Sequence, residues 1–238
     1  MTNIDSSPAL FPKGGDFSSK ISAPVLQYPR RQVIFVIRKD NYLIQAQQAK
    51  QRYLTYDQTM LIHKFSLESD IDYIYVNLLC IPYRLSRSTG DLQKKRSGQW
   101  VDGNSYEEVM TLLDLLCDSR DDRCISGTFQ NMQSFGLHVH RNLLEDARDP
   151  FAEAIDADPA LLHRAAAALG AKPLRGGDIG YAFELFDGLE IGLLFWHGDD
   201  EFAPRVRYLW DTNARQYIRY ETMYFAVSLL RRRIREVN

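Results

Sequence analysis

YAFELFDGLEIGLLFWHGDDEFAPRVRYLWD, residues 181–211, decides the fold class. Tyr181, Phe183 and Leu185 alternate with smaller or polar residues, the period of a strand with one covered face. Residues 191–196, IGLLFW, are apolar on both faces, which predicts a central strand covered on both sides. Val206, Tyr208 and Trp210 then alternate with Arg205 and Arg207, giving a strand with one wet face. The connections among the 181–187, 191–197 and 205–211 strands are too short for crossover helices, so the strands pair locally and antiparallel. The expected class is α+β, a mainly antiparallel sheet packed against several amphipathic helices.

Outward from this stretch the helices have clear boundaries. Ser105 and Glu108 form an S-x-x-E capping box, followed by Val109, Leu112, Leu113 and Leu116 on one helical face. Asp158 and Pro159 suit the N-cap and first position of another helix, which carries Leu162, Ala165, Ala166 and Leu169 and stops at Gly170. A last helix over about 220–235 aligns Met223, Val227, Leu230 and Ile234. It ends in Arg231, Arg232, Arg233 and Arg235, which complement the negative end of its dipole. Residues 41–65 predict one or two helices broken near Thr55-Tyr56-Asp57. Ile74, Val76, Leu78 and Cys80 alternate with Tyr73, Tyr75 and Asn77, a strand with one aliphatic and one aromatic-polar face. A second run begins at Tyr83 and Leu85 and ends at the Ser88-Thr89-Gly90 turn, and Trp100-Val101 suits a short edge strand. Residues 1–30, rich in Ser, Pro and Gly, predict a flexible N-terminal arm ahead of a single α+β domain over 31–238. The apolar run Val33–Ile37 reads as an added edge strand or a docking segment for a partner, a second copy of the chain included.

The chain has 238 residues, 45% hydrophobic and 25% charged, enough to bury a sizeable core. Its 29 Lys and Arg against 31 Asp and Glu give a formal net charge of −2, which argues against a dedicated nucleic-acid binder. No apolar run approaches the roughly 18 residues of a membrane span, and the first residues do not read as a secretory signal. Cys80, Cys117 and Cys124 are odd in number and lack C-x-x-C spacing, so they fit reduced thiols in a cytoplasm.

RYLTYDQ (52–58), YRLSRSTGD (83–91), SYEEVMTLLDLLCDS (105–119), Gly176-Gly177-Asp178, FWHGDDEF (195–202) and LWDTNARQYIRYETMYF (209–225) together resemble a bacterial domain-of-unknown-function family. The likeness covers roughly residues 41–238. It implies one compact unit and carries no established activity. Some relatives have an added iron–sulfur segment, for which this chain has no matching cysteine cluster.

Phosphate-loop, dinucleotide-binding and nucleophile-elbow patterns are absent, and the cysteines lack a neighbouring catalytic His–Asp pattern. PLRGGDIG (173–180) leads into a strand, so it offers no helix N-terminus to a phosphate. His138 and His140 share a strand face but have no third ligand nearby. The candidate site is the loop between the last two strands. Asp199, Asp200 and Glu201 cluster there, and hard cations such as Mg²⁺ or Ca²⁺ take carboxylate oxygens. Trp196 and Phe202 would supply an apolar wall for a ligand. The same acids also suit a solvated turn, and Asp211 belongs to the turn that follows. No cofactor is identifiable beyond such a divalent cation. Two function classes follow: a cytoplasmic accessory module binding a small molecule or protein, and a divalent-metal-dependent, hydrolase-like enzyme. If the loop holds a cation, replacing Asp200 and Glu201 with Asn and Gln will abolish stabilisation by Mg²⁺ or Ca²⁺ in a thermal melt. Melts of the two proteins that are equally indifferent to both cations would remove the metal reading.

Overall fold

Two five-stranded antiparallel sheets and six α-helices make up the described residues, which in the computed structural model are 30–102, 105–135 and 148–237. The arm expected over 1–30 lies outside them except for Arg30, as do His138 and His140. The chain begins with α1 (Arg30–Leu54) and α2 (Gln58–Phe65), then a meander of β1 (Glu68–Ser69), β2 (Tyr73–Leu78), β3 (Ile81–Ser86), β4 (Leu92–Arg96) and β5 (Gln99–Val101). After α3 (Tyr106–Asp118) come β6 (Phe129–Asn131), α4 (Pro150–Ala157), α5 (Ala160–Ala168) and β7 (Lys172–Pro173). The chain continues through β8 (Ile179–Phe186), β9 (Leu189–Trp196), β10 (Arg205–Asp211) and α6 (Tyr220–Glu236). The second sheet runs β6-β10-β9-β8-β7, so β9 is central, as its two apolar faces predict. The fold is α+β. No helix among the described residues is long and apolar enough to cross a membrane.

Local chemistry explains most boundaries. The α1–α2 break falls where expected, at Asp57, whose carboxylate accepts from the amides of Thr59 and Met60 and caps α2. The Ser105–Glu108 capping box is present in both directions. The expected apolar stripes of α3 and α6 are buried against each other, and Gly170 ends α5 at φ +62°.

Four expectations need correction. Val33–Ile37 is not a strand but part of α1: from Arg30 to Leu54 the chain has no Gly or Pro, so the helix started after Pro29 is never interrupted. Asp149 and Pro150 open α4, a helix the sequence reading lacks, with the Asp149 carboxylate accepting from the Phe151 amide. Asp158 therefore closes α4, and α5 starts at Ala160. β4 lies between the Ser88-Thr89-Gly90 turn and Trp100, in a polar stretch whose pattern predicts no strand. Its inward positions are Leu92 and Lys94, and the lysine occupies a place where the apolar pattern would require a hydrophobe.

The fourth correction concerns the C-terminal arginines. Arg233 is 3% exposed and does not merely face a helix end. Its Nη2 donates to Glu108 Oε1 at 2.7 Å, where Lys94 Nζ (2.8 Å) and the Tyr83 hydroxyl (2.6 Å) also donate. Arg231 pairs with Asp149 and lies over the Phe151 ring at 4.7 Å. A second junction joins α1, α3 and α6. Arg52 reaches Asp114 and Asp118, Thr222 donates to Asp114, and Arg219 pairs with Asp118 at 2.8 Å.

Burial alone would raise the Glu108 pKa. Hydrogen bonds from Lys94, Tyr83 and the Ser105 amide outweigh it and hold the carboxyl at about 2, below its ordinary 4.5. A carboxyl depressed by folding stabilises fully above its unfolded pKa and loses that contribution as pH falls through the folded one. Glu108→Gln should cost about 3–5 kcal/mol near neutrality, because it leaves buried cations without their counter-charge. Urea midpoints from about pH 5 to about pH 3 should fall more steeply for the wild type than for this variant.

Candidate functional site

The β9–β10 hairpin forms with Trp196 opposite Arg205 and Phe195 opposite Val206. Asp199 Oδ1 accepts from the Phe202 amide at 2.7 Å and the Glu201 amide at 2.9 Å. These two bonds hold its carboxyl below the usual range. Asp200 and Glu201 are exposed, and Phe202 is 69% exposed. Trp196 is half-buried, with the Arg205 and Arg207 guanidiniums 4.7 and 5.4 Å from its ring. His197 Nδ1 lies 2.7 Å from Asp156. Among the described residues no group of three or more His, Cys, Asp or Glu is placed to hold a metal ion. Asp211 serves the following turn, accepting from the Asn213 amide and also from the amides of Ser126 and Gly127.

A cleft of about 890 Å³ opens elsewhere, over the outer face of the first sheet. Strand register explains its floor. Glu68 pairs across to Tyr75, Tyr75 to Arg84, and Arg84 to Gln93, so these four side chains form one row across the outer face. The next row carries Asn77 opposite Pro82, and Lys95 opposite Trp100. Arg84 stacks on Tyr73 at 4.2 Å and on Trp100 at 5.0 Å, and Lys95 Nζ lies 5.7 Å from the Trp100 ring. The opposite face of the same strands sends Ile74, Val76 and Leu85 into the core. One wall comes from the end of α2, the other from residues 184–187 at the end of β8, and Phe65 and Phe186 meet there at 5.0 Å.

Backbone strain collects at this cleft. Ser66, Leu79, Cys80 and Asp187 all have positive φ, and three of them line it. Asp187-Gly188 is a normal pair for a two-residue hairpin turn, but Leu79-Cys80 is not. The β2–β3 turn needs left-handed φ at both positions, 47° and 57°, where Asn-Gly is the comfortable choice. It is held by the second sheet: the Leu79 amide donates to Leu185 O at 3.0 Å, and the Leu79 side chain is 1% exposed. The Cys80 thiol donates to Leu169 O, and burial together with nearby Glu184 raises its pKa, so it stays protonated. Among the described residues Glu68, Glu184 and Lys95, all lining the cleft, form no ion pair.

A family model described as Domain of unknown function (DUF3786) matches residues 57–233. The chain belongs to this family. The DUF3786 match begins at the residue that caps α2 and ends at the arginine buried against Glu108. Both sheets and every residue lining the cleft fall inside it. No curated protein and no solved structure matches the chain.

The sequence directs attention to the acidic loop and away from the cleft. One signal was present: the aromatic-polar face of Tyr73, Tyr75 and Asn77 is part of the outer face that floors it. The pairing of that face with Lys95 and Trp100 required β4, which its buried lysine concealed. Cys80→Gly should relieve left-handed strain and raise stability by about 0.5–1 kcal/mol, read as a higher urea midpoint. A lower midpoint would mean that the thiol's contact with Leu169 outweighs the strain.

Proposed function

We propose that this protein is a non-catalytic binding module whose ligand occupies the cleft over the first sheet. One observation carries the reading. The cleft is floored by aromatic and polar side chains in cross-strand register and edged by a turn held in an unfavourable conformation. Residues kept in such conformations cluster at ligand sites because the surrounding packing holds them ready. The volume lies within the roughly 300–1,000 Å³ of small-molecule sites, and the lining mixes a few charged groups with aromatic surface. The three cysteines are free thiols, which suits a reducing compartment, and we place the protein in the cytoplasm.

A thermal-shift screen of wild type and Trp100→Ala against nucleotides, metal ions, saccharides, amino acids and organic acids tests the reading. A ligand at about 100 times its Kd stabilises by about 2.7 kcal/mol, which a melting curve resolves. The expected result is at least one compound that raises the wild-type Tm and leaves Trp100→Ala unmoved. Compounds that shift both proteins equally, or none that shift the wild type, would sink it.

A further inference from the structure

We infer that the cleft takes an uncharged saccharide, a choice of ligand class that rests on its being a binding site at all. The floor is the face of a sheet whose inner strands, β2 to β4, spend their backbone groups on neighbouring strands. Recognition over these inner strands therefore falls to side chains, whereas an extended peptide adding to the sheet would have only its short edge strands β1 and β5 to pair with. Tyr75, Pro82 and Trp100 offer flat apolar surface. A pyranose presents a matching apolar face of C–H groups, with its hydroxyls around the rim.

The polar groups of the cleft suit that rim. Glu68 and Glu184 carry acceptor-only carboxylates, the Lys95 ammonium only donates, and the Asn77 amide does both. Each hydroxyl is itself donor and acceptor, so all four can be satisfied without bringing in charge. Charge separates the remaining candidates. Glu68 and Glu184, both without ion pairs, face the Lys95 ammonium and the Arg84 guanidinium that stacks on Trp100, so the floor carries no surplus of positive charge to draw phosphate-bearing ligands such as nucleotides or oligonucleotides. The same four polar groups would be stripped of water by a lipid chain with nothing to replace it. The cleft's size allows a short chain of rings.

Trp100 also provides the readout. Of the three tryptophans, Trp210 is fully buried and Trp196 sits on the second sheet, so a ligand stacking in the cleft perturbs Trp100 fluorescence. The experiment titrates the full chain with cellohexaose, maltohexaose, xylohexaose, mannohexaose and N-acetylchitohexaose, with hexathymidylate as the polyanion, by calorimetry and tryptophan emission. The inference expects at least one neutral hexasaccharide to bind. Trp100→Ala should weaken that binding about tenfold or more, and Glu68→Gln several-fold. Glu68 lies exposed on a two-residue edge strand, so its variant tests recognition with little effect on folding. Met60→Ala, exposed and outside the cleft, should bind like wild type. If none of the five saccharides binds in a Trp100-dependent way, the saccharide assignment is wrong. Trp100-dependent binding of hexathymidylate, or of a non-saccharide from the thermal screen, would overturn the assignment and leave the binding module standing. Absence of any Trp100-dependent ligand overturns both.

Discussion

One carboxylate organises this protein. Glu108 is fully buried, and its two oxygens accept from Tyr83 on β3, Lys94 on β4, Arg233 on α6 and the amide of its own helix's N-cap. A single acidic group thus fixes the first sheet, α3 and α6 against one another. Removing an ion from water costs several kcal/mol, and only a full set of donors in good geometry offsets that cost. An arrangement of this kind gives less net stability than specificity. Apolar contacts between α3 and the sheet would tolerate a shifted register, whereas Glu108 meets its partners in one register only. The same side chain closes the capping box, so the start of α3 and its docking are set by the same two oxygens.

The cleft depends on that arrangement. Lys94 points inward to Glu108, so by strand alternation Lys95 points outward to Trp100. Shifting β4 by one residue would bring Lys95 to the core and remove the cation from the cleft floor. The core charge and the surface site are thus linked through two adjacent lysines. At the other end of the floor, the β2–β3 turn reaches the second sheet through Leu79, and its hydrogen bond to Leu185 joins the two sheets at the cleft wall.

Most of the architecture was legible in the sequence because apolar residues carried it. The stripes of α3 and α6, the central position of β9 and the β9–β10 pairing all follow from spacing alone. What was not legible was carried by polar residues doing apolar residues' work. Lys94 hid β4, and the run Arg231–Arg235 read as a solvated helix end because no local pattern shows that a carboxylate 125 residues earlier claims one of its members. Val33–Ile37 failed for a different reason: β-branched composition favours a strand only where a neighbouring strand exists, and here the helix simply continued. At the site, local sequence found acids in a turn but not the cleft, whose residues come from six strands and a helix end.

The distance in sequence between Glu108 and Arg233 has a consequence for how the chain is made. At about 5–20 residues per second, a ribosome takes between about 6 and 25 seconds to synthesise the 125 residues that separate them. During that interval the first meander can pair its strands, but α6, which covers α3, does not yet exist. The α3 stripe of Val109, Leu112, Leu113 and Leu116, which α6 covers, and a carboxylate lacking its arginine face water together. The nascent α3 is therefore exposed to chaperones and to aggregation until the C-terminal helix emerges. Completion of the core is a late event in synthesis, set by the position of one arginine.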